Sequence, residues 1–182
     1  MISAALSVLE TEAQRNELTD IYVRNIKTFY SIAFSKLHDQ YDAEDAVQEA
    51  FLAVANNPDV FFNIPEKKRA SYINVIIRNI SCRIWNKKQK IKEDHIISRN
   101  AAMDEQVSIE EKVLSDISCG QILNFIDTLP EGTKAALYLR MHLGLKNADI
   151  ARVLGISEEA AKKRVARAAA NIKHYMEELK DE

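Results

Sequence analysis

Acidic side chains are concentrated in residues 42–49 of this 182-residue chain, where one glutamine accompanies them. Neighbouring carboxylates can act as general acid and base or hold a divalent cation. No histidine lies in this segment, the four histidines of the chain are scattered, and no glycine-rich phosphate-binding loop occurs. We therefore predict no catalysis, no metal ion and no cofactor, and we expect a solvated face or a protein-docking surface. The candidate docking residues are Asp42, Glu44, Asp45, Gln48 and Glu49.

Basic side chains are concentrated in two other segments, although the whole chain has a net charge of −2. Residues 66–92 contain nine basic residues and one acidic residue, and residues 146–173 contain seven basic and three acidic residues. Two basic blocks in an otherwise acidic chain predict two separate surfaces that face phosphate groups. Ordinary solvated helix faces are the alternative.

The first basic segment also contains aromatic and planar polar side chains. Single-stranded nucleic acid is bound where cations follow the backbone and such groups meet unstacked bases. Tyr72 and Trp85 either meet bases in this way or pack in a core, since their spacing suits both. Phe61 and Phe62, in the preceding loop, either pack under the helix or flank a flipped base. The candidate single-strand contacts are Lys67, Lys68, Arg69, Tyr72, Asn74, Arg78, Asn79, Arg83 and Lys87.

The second basic segment has the pattern of a helix-turn-helix. A small residue, Ala151, allows two helices to cross closely, and Gly155 four residues later tolerates the left-handed backbone of the turn. Ser157 is a suitable N-cap for the second helix, whereas Ala161 fills an inward position that usually holds a larger residue. The alternative is a helical hairpin with no DNA role. The candidate duplex contacts are Ser157, Lys162, Lys163, Arg164 and Arg167.

Apolar periodicity predicts an all-α fold that positions these groups. The predicted helices span 18–37, 42–56 (capped by Asp42), 66–92, 120–129, 133–143, 147–154 and 157–179, with an apolar loop at 60–65. We expect a first domain at 1–92, an acidic linker at 93–118 and a second domain at 119–182. Two widely spaced cysteines, no signal-peptide pattern and no membrane-spanning stretch predict a cytoplasmic protein with free thiols.

Three segments in this order resemble the bacterial RNA polymerase sigma factors of the extracytoplasmic-function group. Residues 42–51 (DAEDAVQEAF) resemble region 2.2, which docks on the clamp helices of the polymerase beta-prime subunit. Residues 69–80 (RASYINVIIRNI) are similar to regions 2.3 and 2.4, which melt and read the minus-ten promoter element. Residues 129–131 (LPE) and the helix-turn-helix are similar to region 4, which reads the minus-thirty-five element. The family's usual aromatic residue after Ala70 is replaced by Ser71, with Tyr72 next to it.

The resemblance implies a promoter-recognition subunit, not an enzyme. Its implied partners are core RNA polymerase (beta-prime clamp and beta flap), promoter DNA and an anti-sigma factor, without membrane insertion. We expect polymerase to order the two domains and the free protein to be either mobile or folded shut. The acidic linker would lie in the polymerase RNA-exit path or mask the basic helices. The alternatives are a stand-alone helix-turn-helix regulator and an interaction protein that uses its helices only to bind a partner.

Overall fold

A computed structural model of the chain describes residues 2–95 and 117–181, and within these ranges every regular element is a helix. The helices are α1 (Ser3–Val8), α2 (Glu12–Leu37), α3 (Gln40–Ala55), α4 (Pro58–Phe62), α5 (Glu66–His95), α6 (Ile117–Thr128), α7 (Glu131–Met141), α8 (Asn147–Leu154) and α9 (Glu158–Asp181). The predicted all-α fold is therefore confirmed. Most of the predicted linker lies outside the described residues, and the division into domains stays a prediction.

Helices α2, α3 and α5 pack against one another and form the core of an N-terminal unit, residues 2–95. The rings of Phe29 and Phe51 meet edge to face with their centroids 5.5 Å apart, and Tyr22 approaches Phe51 in the same way at 5.3 Å. Ile73 and Ile77 of α5 are fully buried beside this aromatic cluster. Burying each such side chain stabilises the fold by about 1.5–3 kcal/mol, so the apolar face of α5 is fixed toward α2 and α3.

Local capping explains where the first helices differ from the prediction. Thr11 and Gln14 form a reciprocal capping box, so α2 begins at Glu12 and not at residue 18. Asp39, not Asp42, caps α3, because its side chain accepts a hydrogen bond from the Asp42 backbone N–H at 2.9 Å. His38 ends α2 in the left-handed conformation, with φ of 52°.

Two short helices were not predicted. Helix α1 buries Ile2, Ala5 and Leu9 against the N-terminal unit and contacts α3. Helix α4 occupies part of the predicted apolar loop and begins with Pro58, whose fixed φ suits the first helical turn. Phe61 of α4 is fully buried, so its ring packs under α5 and does not flank a flipped base.

Helices α6 to α9 form a C-terminal unit, residues 117–181, in which α9 contacts α6, α7 and α8. The rings of Phe125 and Tyr175 stack with centroids 4.3 Å apart and join α6 to α9. Gly155 has a φ of 63° and allows the turn between α8 and α9. Ser157 caps α9 by accepting the Ala160 backbone N–H at 3.2 Å, as predicted. The helix-turn-helix geometry is therefore present.

The two units are in contact through α5, which packs against α7 and α8. A continuous cluster of buried apolar side chains includes Ile76 of α5, Leu139 of α7 and Ile150 of α8. The conformation of the free protein, mobile or folded shut, stays a prediction.

Because Gly155 has a left-handed backbone conformation, a side chain at this position should destabilise the protein. We expect Gly155→Ala to lower the free energy of unfolding by about 1 kcal/mol, because a Cβ is disfavoured at positive φ. Urea denaturation followed by circular dichroism measures this change. Asn171→Ala on the exposed face of α9 is the control and should stay within about 0.5 kcal/mol of the wild type. Equal stability of the two variants would contradict the account of the turn.

Candidate nucleic-acid interface and acidic docking surface

Helix α3 presents part of its acidic set to solvent and uses the rest within the molecule. The side chains of Asp45 and Gln48 are exposed, and neither side chain makes a hydrogen bond or ion pair with another residue in 2–95 or 117–181. Asp42 forms an ion pair with Lys88 of α5, and Glu49 forms one with Arg83. The half-buried Glu44 accepts a hydrogen bond from the Gln40 side chain at 3.2 Å. The exposed pair Asp45 and Gln48 therefore forms the accessible centre of the predicted docking surface.

Arg69 was predicted to contact phosphate, but the structure turns it inward. Its guanidinium donates hydrogen bonds to the carbonyl oxygens of Ile64, at 2.9 Å, and Phe62, at 2.7 Å. It also forms an ion pair with Glu17 of α2, and only 13% of its side chain is exposed. Burial lowers the pKa of Arg69, and a guanidinium remains charged despite such a shift. Arg69 thus fixes the segment that leads into α5 and is not presented to DNA.

Tyr72 was also predicted to contact DNA, and it too is fully buried. Its ring lies 5.8 Å from that of Phe61, centroid to centroid, which supports the core alternative for the aromatic ring. Its hydroxyl has no hydrogen-bond partner among the described residues. Burial, together with the nearby charges of Asp149 and Asp59, raises the pKa of Tyr72, so the hydroxyl is protonated at every physiological pH.

The other candidates on α5 fall into an exposed group and a half-buried group. The exposed group is Lys67, Arg78, Arg83 and Lys87, and the half-buried group is Lys68, Asn74 and Asn79. The side chains of the half-buried group face the C-terminal unit or its margin. Lys68, for example, donates a hydrogen bond to the His142 carbonyl oxygen at 2.7 Å. The side chain of Trp85 is exposed, with Lys36 Nζ 4.3 Å from its ring centroid, so the core alternative does not hold for this residue.

The first turns of α9 present the predicted duplex-binding face. Lys162, Lys163 and Arg167 are exposed, and Lys163 forms an i,i+4 ion pair with Glu159 at 2.7 Å. Arg164 is half-buried, and its guanidinium lies so close to Gly132 that a Cβ there would stand 2.6 Å from Nη1. Arg164 therefore packs across the start of α7, and the three exposed cations carry the accessible positive charge.

The close crossing of α8 and α9 uses small residues on both helices. Ala151 of α8 is 6% exposed and Ala161 of α9 is fully buried. The Gly155 turn returns α9 across α8, so Ala161 lies within the core that Ile150 and Leu154 fill. An α-helix presented in this way fits the major groove of B-form DNA.

One contact between the units was not predicted from the sequence. Arg152 of α8 forms an ion pair with Asp59 of α4, with Nη1 3.0 Å from Oδ2, and a second one with Asp149 at 2.6 Å. Arg152 and Asp59 are 93 residues apart, and neither lies in a motif that indicates the pairing. Asp59 and Arg152 also lie close enough to Tyr72 to affect the pKa of its hydroxyl, which Asp59 raises and Arg152 lowers.

Within 2–95 and 117–181, no three His, Cys, Asp or Glu side chains come together in a group that could hold a metal ion. In the same part of the chain, no helix combines the length and the apolar character needed to cross a membrane.

The chain is similar to known families over most of its length. Residues 21–91 match the family described as Sigma-70 region 2, and residues 119–172 match the family described as Sigma-70, region 4. The first match covers α3, α4 and most of α2 and α5, and the second covers the helix-turn-helix.

A curated relative and two solved structures are also similar. The RNA polymerase sigma factor SigZ of Bacillus subtilis (strain 168) is 29% identical over 164 residues, which cover 88% of this chain and 86% of the relative. The sigma factor RpoE in complex with the anti-sigma factor NepR from Bartonella quintana is 17% identical with a TM-score of 0.46, covering 87% of this chain and 96% of the other. CnrH in complex with the cytosolic domain of CnrY is 16% identical with a TM-score of 0.39, covering 97% and 94%.

The inward position of Arg69 makes it a stability determinant. We expect Arg69→Ala to lower the free energy of unfolding by about 2 kcal/mol, because the change leaves Glu17 and two carbonyl oxygens without their donor. Urea denaturation measures the loss. The matched control, Lys67→Ala on the exposed side of the same turn, should change stability by less than about 0.5 kcal/mol. A stable Arg69→Ala protein would contradict the assigned role.

Proposed function

The chain belongs to the sigma-70 family of RNA polymerase sigma factors, as a small extracytoplasmic-function member with regions 2 and 4, and from this premise we propose how its surfaces act in transcription initiation. Helix α3 docks on the beta-prime clamp of core polymerase. Helix α9 binds the duplex of the minus-thirty-five element, and α5 captures the minus-ten strand. The observation that carries this assignment is that one chain combines an exposed acidic helix with two separate basic helices.

Docking on polymerase is assigned to α3 because one side of the helix carries exposed polar groups and the other side is packed in the core. Asp45 and Gln48 face solvent. On the opposite side, Ala46, Val47 and Ala50 are fully buried. Complementary charge speeds encounter between proteins and fixes their orientation. A helix held in the core in this way loses little conformational entropy when it binds, which favours affinity.

Duplex recognition is assigned to α9, with the beta flap of polymerase as the proposed second contact of its unit. Lys162, Lys163 and Arg167 can contact phosphates while neighbouring side chains reach base edges. Such contacts fix the register of the helix in the major groove but are weakened by salt, because bound counterions are released on binding.

Strand capture is assigned to α5, whose exposed cations occur along most of a long helix. Arg83 and Lys87 lie one turn apart on the same side, where phosphates of an unwound strand can contact both. Contacts made only to the open strand offset part of the free energy of base-pair opening. The chain thus acts by binding and not by catalysis, and we place it in the cytoplasm with polymerase, where an anti-sigma factor is the inhibitor expected for this group.

The docking surface is tested by binding of labelled protein to bacterial core RNA polymerase. We expect Asp45→Arg/Gln48→Ala to weaken binding at least about tenfold, because the change removes the exposed centre of the surface and reverses its charge. The control is Glu177→Arg, which makes the same charge change at an exposed position near the end of α9. Wild-type protein that binds duplex DNA tightly but not core polymerase would refute the proposal and favour a stand-alone helix-turn-helix regulator.

Phosphate contacts by the exposed cations of α9 make the affinity for duplex DNA depend on salt concentration. The duplex is first selected from random sequence by wild-type holoenzyme, that is, core polymerase with this chain bound. We expect Lys162→Ala to weaken binding of the holoenzyme to this duplex. The slope of log affinity against log salt concentration should fall by about 1, because one phosphate contact is lost. Lys173→Ala, further along α9, is the control and should leave the slope unchanged. An unchanged slope for Lys162→Ala would exclude a phosphate contact at this position.

A further inference from the structure

A cavity of about 470 Å³ lies where α5 meets the turn of the helix-turn-helix. One wall is formed by α5, and the other by Gly132 of α7, the turn between α8 and α9, and Arg164 of α9. A volume of this order is within the range of small-molecule sites in proteins, about 300–1,000 Å³. The function proposed above assigns no ligand to this cavity.

The charged groups of the cavity all have the same sign. Arg83 and Lys87 lie on the α5 wall and Arg164 on the opposite wall, and among the residues that the structure describes no acidic side chain lines the cavity. Arg83 has an acidic partner, Glu49, on α3. Lys87 and Arg164 form no ion pair or hydrogen bond with another side chain that the structure describes. Like charges around one space repel, and an anion between them removes the repulsion.

The position of Arg164 depends on a neighbouring glycine. A Cβ at Gly132 would stand 2.6 Å from Arg164 Nη1 and 3.1 Å from Cζ, so the missing side chain leaves the space that the guanidinium occupies. Arg164 is half-buried, and a guanidinium remains charged with five N–H donors. Donors that are partly removed from water and lack a partner cost free energy. Phosphate oxygens can satisfy them, because a guanidinium binds phosphate through two parallel hydrogen bonds.

The rest of the lining suits the base and ribose of a nucleotide. Asn79 and Asn86 of α5 provide amide groups, which can both donate and accept hydrogen bonds. Leu154 and Ile156, at the turn between α8 and α9, provide apolar surface against which a base can pack. Ligand sites typically combine apolar surface with a few placed polar groups, and this cavity does so beside three cations.

We propose that this cavity binds a nucleoside di- or triphosphate whose phosphates contact Arg83, Lys87 and Arg164. The proposal goes beyond the proposed function, because it requires neither polymerase nor promoter DNA. Cations on two facing walls favour a compact anion, whereas a DNA strand needs cations that follow a path along the surface. Arg83 and Lys87 are also proposed strand contacts, so a nucleotide and the captured strand exclude each other at these two side chains.

Binding is measured with the full-length chain and ATP that carries a fluorescent N-methylanthraniloyl group on the ribose. Anisotropy is followed without magnesium and at constant ionic strength, and unlabelled competitors are then added. We expect ATP and inorganic pyrophosphate to displace the probe, and adenosine to require a concentration at least about tenfold higher, because it lacks the charged groups that the cations bind. Displacement by adenosine as effective as that by ATP would overturn the assignment of the phosphates to this site.

The first variant removes a cation of the cavity. We expect Arg164→Ala to weaken binding of the labelled ATP at least about tenfold, because the bidentate contact is lost. The matched control is Arg24→Ala, which removes the same charge from an exposed position of α2 that does not line the cavity. The control should stay within about twofold of the wild type at physiological ionic strength, where distant charges are screened.

The second variant keeps every charge and moves one of them. Gly132→Ala places a Cβ where the Arg164 guanidinium lies, and the end of this flexible side chain can shift to make space. We expect binding of the labelled ATP to weaken about fivefold, while the free energy of unfolding in urea stays the same or rises, because alanine favours a helix more than glycine does. Weaker binding therefore cannot be attributed to unfolding.

Three results would overturn the proposal. They are no binding of the labelled ATP by the wild-type chain, Arg164→Ala that binds as well as Arg24→Ala, and Gly132→Ala that binds as well as the wild type. A 12-nucleotide single strand of DNA is the competitor that tests the other source of phosphate. Displacement of the probe at a lower phosphate concentration by this strand than by ATP would show that the cavity belongs to the DNA-binding surface and is not a nucleotide site.

Discussion

The packing of α5 between two sets of helices is the constraint on which the rest of the structure depends. One face of α5 buries Ile73, Ile77 and Ile80 against α2 and α3, and this burial fixes the rotation of the helix about its axis. Arg83 and Lys88 lie at the margin of that face, where they form ion pairs with Glu49 and Asp42 of α3. Asn74 and Arg78 lie on another side of the helix and line the groove toward α7.

The charges of α3 and α5 are coupled through direct ion pairs. Asp42 and Glu49 of the docking helix hold Lys88 and Arg83 of the strand-capture helix. These pairs are partly exposed, so each contributes little to stability. They also connect the two helices, because a partner that binds Asp42 and Glu49 would free Lys88 and Arg83 on α5 for other contacts. Under the proposed function, docking on polymerase and capture of the strand are linked by side chains that belong to both surfaces.

The features that the sequence predicts correctly have local determinants. The helix-turn-helix depends on Ala151, Gly155 and Ser157, which lie within seven residues, and each acts through its own backbone or its nearest neighbours. The start of α3 was misplaced because Asp39 and Asp42 are both good caps, and only backbone geometry selects Asp39. Helix α1 has too few residues to show a periodic pattern, and it is held by burial against α3.

The features that the sequence does not predict have determinants that are distant along the chain. Arg69 and Lys67 are both cations of the first turn of α5, yet only Arg69 meets the carbonyl oxygens of the preceding segment and Glu17, 52 residues away. The Asp59–Arg152 pair likewise depends on how the two units meet. Periodicity predicts which face of a helix is apolar, but it does not predict which cation on the polar face turns inward.

The most direct test of the account is permanganate reactivity of thymines in a promoter that the wild-type holoenzyme has selected. The account predicts reactive thymines at the minus-ten element only when both core polymerase and this chain are present, and loss of that reactivity with Asp45→Arg/Gln48→Ala. Reactive thymines that require neither core polymerase nor an intact α3 surface, or no reactivity with any combination, would contradict it.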